Sequence, residues 1–152
     1  KSLLCQELQS TNTLTFDGRI WHGENTDFLG LRELLNSTEY SAPVCIWGGG
    51  GTLPVIQKLL PNAVAYSTRT AKRRDQKEEI SPETVIWAAS PNAQFPPNHW
   101  KPSLIIDLNY REDSQAKEYC QTVGARYISG LYMFKAQARA QKEIWGHADD
   151  SE

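Results

Sequence analysis

The sequence of 152 residues lacks several features that assign proteins to broad functional classes. No stretch approaches the roughly 20 consecutive apolar residues of a membrane-spanning helix, so we expect no membrane partner. The formal net charge is −2 and no long basic run occurs, which argues against nucleic acid as a partner. Residues 1–8 are too short and too polar to form a secretory signal.

Cysteine is scarce, and the arrangement of the cysteines is informative. Cys5, Cys45 and Cys120 are widely spaced and form no C-x-x-C pair. An odd number of separated cysteines is typical of reduced thiols in a cytoplasmic protein. The three histidines do not fall at metal-ligand spacing, so we expect no metal site. The G-x-S-x-G motif of many hydrolases is absent as well.

A run of glycines after an apolar segment organises the chain. Residues 44–47, Val-Cys-Ile-Trp, predict a buried parallel strand, and apolar residues recur at helical spacing from Leu53 onward. Between strand and helix lie Gly48, Gly49, Gly50, Gly51 and Thr52. This order directs backbone N–H groups toward a phosphate, so it predicts a pyrophosphate site. Because Leu53 occupies the last position of G-x-G-x-x-G, a tight turn without a ligand is the alternative.

The next predicted strand comprises residues 63–66, and the segment that follows it indicates which dinucleotide fits. In such units an acidic residue here binds the ribose 2′-hydroxyl of NAD, but no Asp or Glu occurs between Gly48 and Arg74. The chain instead has Thr68, Arg69 and Thr70, followed by further basic residues. A guanidinium group here suits the 2′-phosphate of NADP, while a solvated basic loop is the alternative.

Along the remaining chain, predicted strands and helices alternate. Further strands are predicted at 84–89, 104–107 and 126–129, and helices at 23–35, 113–120 and 131–145, the last ending at Gly146. Near the start, Asp17-Gly18 predicts a two-residue hairpin turn. The predicted fold class is α/β, a Rossmann-like doubly wound parallel sheet with helices on both faces.

Asp27 is the polar residue of greatest chemical interest. It lies at the start of a predicted helix that Asn25 or Thr26 can cap. Beside a nucleotide site, such a carboxylate can orient or deprotonate a substrate hydroxyl. From spacing alone, a helix-capping carboxylate is the favoured interpretation.

The segment that contains Asp27 also carries a family resemblance. Gly23-Glu-Asn-Thr-Asp27-Phe-Leu-Gly30 resembles the G-x-N-T-D-x-x-G signature of shikimate dehydrogenases. The similarity continues in order along almost the whole chain, in Thr11-Asn12-Thr13-Leu14, the glycine turn, Thr68-Arg69-Thr70, Asp107-Leu-Asn-Tyr110, and Gly130-Leu-Tyr-Met133 with Gln137-Ala138. The ordered set is far more specific than any one motif.

The resemblance implies a function and roles for individual residues. The family reduces 3-dehydroshikimate to shikimate with NADPH, a step toward chorismate and the aromatic amino acids. By resemblance, Asp27 would belong to a catalytic Lys–Asp pair, and Asn12, Tyr110 and Gln137 would hold substrate hydroxyls. Cofactor contacts would come from the glycine turn and from Thr68, Arg69, Thr70, Ser90, Gly130 and Met133.

The chain also departs from the family pattern. The family's catalytic lysine lies well upstream of the Asn-Thr-Leu segment, and Lys1 is too close to Asn12 to be that residue. We therefore expect one NADP-binding domain over residues 1–152, with 1–24 a hinge and hairpin, and with the substrate domain and most activity absent. Quinate dehydrogenase and a non-catalytic nucleotide-sensing module are alternatives. Other shikimate-pathway domains of a longer parent chain are candidate partners.

Overall fold

The computed structural model describes residues 2–149, and side-chain environments up to residue 146. The chain divides into two compact units, one formed by residues up to Thr38 together with those from Tyr132 onward, and one by Glu39–Leu131. Unit 1 contains α1 (Leu3–Leu8), β1 (Thr13–Phe16), β2 (Trp21–Glu24), α2 (Thr26–Asn36) and all but the first residue of α5 (Leu131–Asp149). Unit 2 contains β3 (Val44–Gly48), α3 (Leu53–Leu59), β4 (Val64–Tyr66), β5 (Thr84–Ala88), β6 (Leu104–Asp107), α4 (Gln115–Val123) and β7 (Arg126–Ile128). The prediction of one domain stays a prediction.

A five-stranded parallel sheet in the order β4-β3-β5-β6-β7 forms unit 2. Every residue of β3 is buried, as expected for a central strand of a parallel sheet. From β3 the chain passes to β4 on one side, whereas β5 pairs with β3 on the other side. The winding therefore reverses between β3 and β5. In open α/β sheets, ligands bind at this point, outside the carboxyl ends of the strands.

Aromatic side chains pack on one face of this sheet. The ring of Trp100 lies 5.7 Å from that of Trp47 and 4.7 Å from that of Tyr66, both in edge-to-face geometry. Tyr119 of α4 adds a ring 5.5 Å from Trp87. Such pairs contribute about 0.5–1.5 kcal/mol each beyond their burial. This cluster holds the ends of β3, β4 and β5 in place.

The predicted α/β class is confirmed, and two of the connections between strands have no helix, as the positions of the predicted helices implied. The connections after β4 and after β5, at the described residues 67–83 and 89–103, contain no helix. After β4 the chain turns back on itself, with an isolated bridge between Tyr66 and Arg73 and with Ala71 at a positive φ of 56°. After β5 the prolines prevent regular helix, because each lacks a backbone donor.

In unit 1, β1 and β2 form an antiparallel hairpin in which Phe16 pairs with Trp21. The predicted two-residue turn is wrong, because residues 17–20 all lie between the strands. The Asp17 carboxylate explains the longer loop, since its Oδ1 accepts from the backbone N–H groups of Arg19 and Ile20, each at 2.9 Å. These contacts stabilise a turn that dipeptide preferences do not predict.

In unit 1, the predicted start of one helix is confirmed and the predicted end of another is wrong. The Asn25 side chain caps α2 by accepting from the Phe28 N–H at 3.1 Å. The long helix α5 continues to Asp149, so Gly146 does not end it. A glycine inside a helix costs only about 1 kcal/mol relative to alanine, which a helix of this length can tolerate.

Candidate functional site

The glycine turn packs tightly against the end of β5. Gly48, Gly49 and Gly50 have φ values of 93°, 127° and 48°, which side-chain-bearing residues rarely adopt. A Cβ added to Gly48 would lie 2.8 Å from the carbonyl oxygen of Ala88. The N–H of Gly49 donates to that same carbonyl at 3.1 Å. Both conformation and close approach therefore require glycine at the start of the turn.

The far side of the turn is open. A Cβ added to Gly50 or Gly51 would meet nothing within 4 Å. These residues form a 3₁₀ turn, Gly50–Thr52, which leads into α3 with Pro54 in its first turn. The first N–H groups of a helix have no carbonyl partner within it. The turn therefore offers backbone donors and free space at the switch point of the sheet, as a bound diphosphate requires.

A cavity of about 560 Å³ lies beside the loop after β4 and is rich in basic residues. Of the three residues predicted to bind a 2′-phosphate, Thr70 lines it. Its basic lining residues are Lys72, Arg73, Arg74 and Lys77. The loop is closed by hydrogen bonds of 2.9 Å from Ser67 N–H to the Lys72 carbonyl and from Ala71 N–H to the Ser67 carbonyl. The cavity therefore suits an anionic group.

The two adjacent arginines of this loop have different partners. Arg73 pairs with Asp75, with Nη2 2.8 Å from Oδ2, and this contact lowers the pKa of the Asp75 carboxyl group. Arg74 instead approaches the glycine turn, with Nη2 3.5 Å from the carbonyl oxygen of Gly48. The sequence does not distinguish Arg73 from Arg74, because only the fold of the loop decides where each side chain goes.

Asn12 organises the polar cluster of unit 1. Its side-chain oxygen accepts from the backbone N–H of Thr26 at 2.9 Å, from the Thr26 hydroxyl at 3.2 Å and from the Thr13 hydroxyl at 3.1 Å. With the oxygen so engaged, its amide N–H groups are the donors, and the Asn12 side chain is hydrogen-bonded to Asp27. The structure thus brings together two of the residues singled out in the sequence.

Asp27 lies in the first turn of α2 and is partly buried. Burial raises the pKa of its carboxyl group, although the hydrogen bond from Asn12 acts in the opposite direction. One turn later, Gly30 allows close contact with α5, since its added Cβ would lie 3.2 Å from Cβ of Gln137. Asn12, Asp27 and Gln137 therefore belong to one region of unit 1, and a carboxyl group there can exchange a proton with a bound hydroxyl.

The other predicted site residues occupy varied environments. Tyr110 follows β6 and is 61% exposed. Ser90 follows β5 and lines a small pocket with Asn109. Gly130 packs on backbone, because an added Cβ would lie 2.6 Å from the carbonyl oxygen of Asn109. Met133 is buried in unit 1. Packing explains Gly130 and Met133 without a ligand, and their cofactor contacts stay predictions.

Three further properties concern the described part of the chain alone. Among residues 2–149, no helix has both the length and the apolar character needed to cross a bilayer. In the same residues, no group of three or more His, Cys, Asp or Glu side chains is arranged to hold a metal ion. Cys5, Cys45 and Cys120 are all free and buried.

Comparison with known proteins identifies the fold. No protein-family model matches the sequence, and no curated protein is significantly similar to it. Solved structures do match, among them a chorismate mutase/shikimate 5-dehydrogenase fusion protein from Clostridium acetobutylicum, with a TM-score of 0.73 and 23% identity over 99% of this chain and 67% of that one. The chain shares its fold with shikimate dehydrogenases.

Two more enzymes of this kind show the same similarity. Shikimate 5-dehydrogenase from Thermus thermophilus, solved in complex with NADP(H) and shikimate, gives a TM-score of 0.74 and 18% identity over 95% of this chain and 65% of that one. Shikimate dehydrogenase from Aquifex aeolicus gives a TM-score of 0.71 and 20% identity, over 99% of this chain and 69% of that one. The chain thus spans about two thirds of the length of these enzymes. The family resemblance seen in the sequence is confirmed at the level of the fold.

Proposed function

We propose that this chain is the NADP-binding part of a shikimate dehydrogenase, which reduces 3-dehydroshikimate to shikimate with NADPH in a cytoplasmic pathway. The observation that carries the proposal is the open glycine turn at the switch point of the sheet, together with the basic cavity after the neighbouring strand. The order of family motifs along the sequence and the shared fold support it.

The two parts of this site match the two ends of an adenine dinucleotide phosphate. Gly50 and Gly51 would donate backbone N–H groups to the diphosphate, beside Thr52, whose own N–H donates to the Gly49 carbonyl at 2.9 Å. By family resemblance, Thr68, Arg69 and Thr70 would hold the 2′-phosphate. The basic residues that line the cavity together with Thr70 would add positive charge. One charge-assisted hydrogen bond contributes about 1.5–3 kcal/mol, which favours NADP over NAD by about ten- to a hundredfold. The bound nicotinamide supplies the hydride chemistry.

Unit 1 would contribute groups for the substrate. Asn12 and Gln137 would hold substrate hydroxyl groups, and Asp27 would hold or accept a proton at one of them. The raised pKa of Asp27 suits this task, because a group exchanges protons best when its pKa approaches the working pH. By family resemblance, a lysine upstream of Asn12 would be its partner in proton transfer.

Binding and activity measurements together test this proposal. Calorimetric titration of this chain at fixed salt should show tighter binding of NADPH than of NADH. The same chain should oxidise shikimate only weakly with NADP, because half of the proton-transfer pair is absent from its 152 residues. Failure to prefer NADPH would refute the cofactor assignment. Rapid oxidation of shikimate by this chain alone would instead show that Asp27 needs no upstream lysine.

A further inference from the structure

Gln94 links two loops of unit 2 that follow different strands. Its side-chain Nε2 donates to the backbone carbonyl of Thr68 at 2.6 Å and to that of Arg69 at 2.9 Å. Thr68 and Arg69 belong to the loop after β4, whereas Gln94 belongs to the segment after β5. A primary amide has two N–H donors, so two consecutive carbonyls use its full donor capacity.

The backbone at Gln94 is fixed to the core of the sheet. Its carbonyl accepts from the indole N–H of Trp47 at 3.1 Å, and Trp47 is fully buried in β3. The next residue, Phe95, packs its ring 6.3 Å from that of Trp87 and 5.7 Å from that of Tyr119. The Gln94 amide therefore reaches the loop from a rigid base.

The loop after β4 is fixed to the core less firmly at Arg69 than the backbone at Gln94 is. Its own hydrogen bonds join Ser67 to Lys72 and Ala71, and the Arg69 N–H to the Ser67 hydroxyl at 3.3 Å. These bonds shape the loop internally and do not hold Arg69 relative to the sheet. Arg69 is exposed, and ordering a long exposed side chain costs conformational entropy. A contact that fixes its backbone reduces the number of positions that its guanidinium group can take.

We propose that Gln94 is a positioning residue that sets the preference for NADPH over NADH without touching either cofactor. The inference rests on the proposed function, since it assumes that Arg69 meets the 2′-phosphate. By holding the carbonyls of Thr68 and Arg69, Gln94 places the guanidinium group where that phosphate arrives. NADH has no 2′-phosphate, so its affinity does not depend on this contact.

The test compares two glutamine-to-leucine variants of this chain. Gln94→Leu keeps the size of the side chain and removes its donors, and Gln121→Leu makes the same change on the exposed surface of α4. Calorimetry at fixed salt should show about three- to tenfold weaker NADPH binding for Gln94→Leu, with NADH binding unchanged. Gln121→Leu should bind both cofactors as the wild type does.

A second variant and a second readout separate positioning from folding. Gln94→Glu has nearly the same shape but presents acceptors to two carbonyls, so its NADPH affinity should fall further than that of Gln94→Leu. Amide hydrogen exchange at residues 68–71 should be faster in both Gln94 variants without cofactor, while exchange in β3 should stay as in the wild type.

Three results would overturn the inference. A wild-type NADPH-to-NADH preference in Gln94→Leu would show that the contact does not matter. An equal loss of both affinities would indicate a general structural role. A wild-type chain without preference for NADPH would refute the proposed cofactor and the inference with it, and this is seen before any Gln94 variant is tested.

Discussion

The two units of this chain offer a ligand different kinds of surface. In unit 2 the candidate site is made mainly of backbone, with a glycine turn at the end of β3 and a hydrogen-bonded loop after β4. The polar cluster of unit 1 is made of side chains, with Asn12 at the centre of hydrogen bonds to Thr13, Thr26 and Asp27. Backbone donors provide shape and charge complementarity for phosphates, whereas a carboxyl group can move a proton.

This difference predicts that mutations in the two units separate binding from chemistry. Substitutions in the glycine turn or its neighbouring loop should change cofactor affinity or folding. Substitutions in the Asn12 cluster should change turnover, since that cluster contains Asp27, a carboxyl group whose pKa burial raises. Activity, stability and binding measurements on single variants of each unit test this separation.

When this chain is supplied with the substrate domain that the family resemblance implies, Asp27→Asn should abolish most shikimate turnover while leaving NADPH affinity intact. Loss of a group that exchanges a proton with the substrate typically costs about 10²- to 10⁴-fold in rate. Steady-state assay of shikimate oxidation with NADP measures the effect, and Asp113→Asn, at an exposed carboxylate of unit 2, is the matched control. Turnover near that of the wild type would leave Asp27 only the role of a carboxylate that stabilises the first turn of α2.

Gly48→Ala should destabilise unit 2 strongly. The added Cβ would lie 2.8 Å from the Ala88 carbonyl oxygen at a φ of 93°, and such strain together with overpacking costs roughly 2–4 kcal/mol. Urea denaturation of this chain measures the change in the free energy of unfolding.

Gly51→Ala is the matched control for this clash, since its Cβ meets open space. It should change the free energy of unfolding by less than about 1 kcal/mol. It should nevertheless weaken NADPH binding, because the methyl group occupies the space that we assign to the diphosphate. Equal destabilisation by Gly48→Ala and Gly51→Ala would contradict the described turn, and unchanged NADPH affinity in Gly51→Ala would contradict the diphosphate assignment.

Arg69→Ala should reduce NADPH affinity by about ten- to a hundredfold, the range expected for one charge-assisted hydrogen bond to phosphate. NADH affinity should not change, because NADH lacks the 2′-phosphate. Titration calorimetry at two salt concentrations measures both affinities. The corresponding Lys58→Ala variant, at the end of α3, serves as a control for loss of a positive charge. Unchanged discrimination in Arg69→Ala would transfer the 2′-phosphate role to other basic residues of the loop.

The smallest effect concerns stability and pH. The folded-state pKa of Asp27 is raised above 3.8, so the protonated group favours folding at low pH and this contribution is lost as pH rises through the folded-state pKa. Asp27→Asn removes the dependence. Its melting temperature should therefore rise relative to that of the wild type as pH increases from 3.8 toward neutrality. A constant difference across that interval would show that burial does not perturb Asp27.

Local patterns predicted the parts of the fold that depend on local physics. The glycine turn and the Asn25 cap both follow from the preferences of single residues. The predicted length of the hairpin loop was wrong, because the Asp17 carboxylate accepts hydrogen bonds from the backbone N–H groups of Arg19 and Ile20 and so stabilises a longer loop. The helix over Leu3–Leu8 was not predicted, because so short a segment shows little periodicity.

For the candidate site residues, too, local motifs were predictive, whereas contacts between distant segments were not. Short motifs and their order predicted Asp27, Asn12 and the residues of the glycine turn as site residues. They did not identify Gln94 or the contact between Arg74 and Gly48, because both contacts join segments more than 20 residues apart. A single sequence shows which residues can form such bonds, but the order of the strands decides which of them meet.

Amide hydrogen exchange of this chain with and without NADPH tests the cofactor assignment most directly. Protection should appear in the glycine turn, at residues 48–52, and in the loop at 67–74, where the diphosphate and the 2′-phosphate are proposed to bind. NADH should protect the first segment and not the second. Absence of NADPH-dependent protection at the glycine turn, or protection confined to other segments, would contradict the assignment of this turn as the cofactor site.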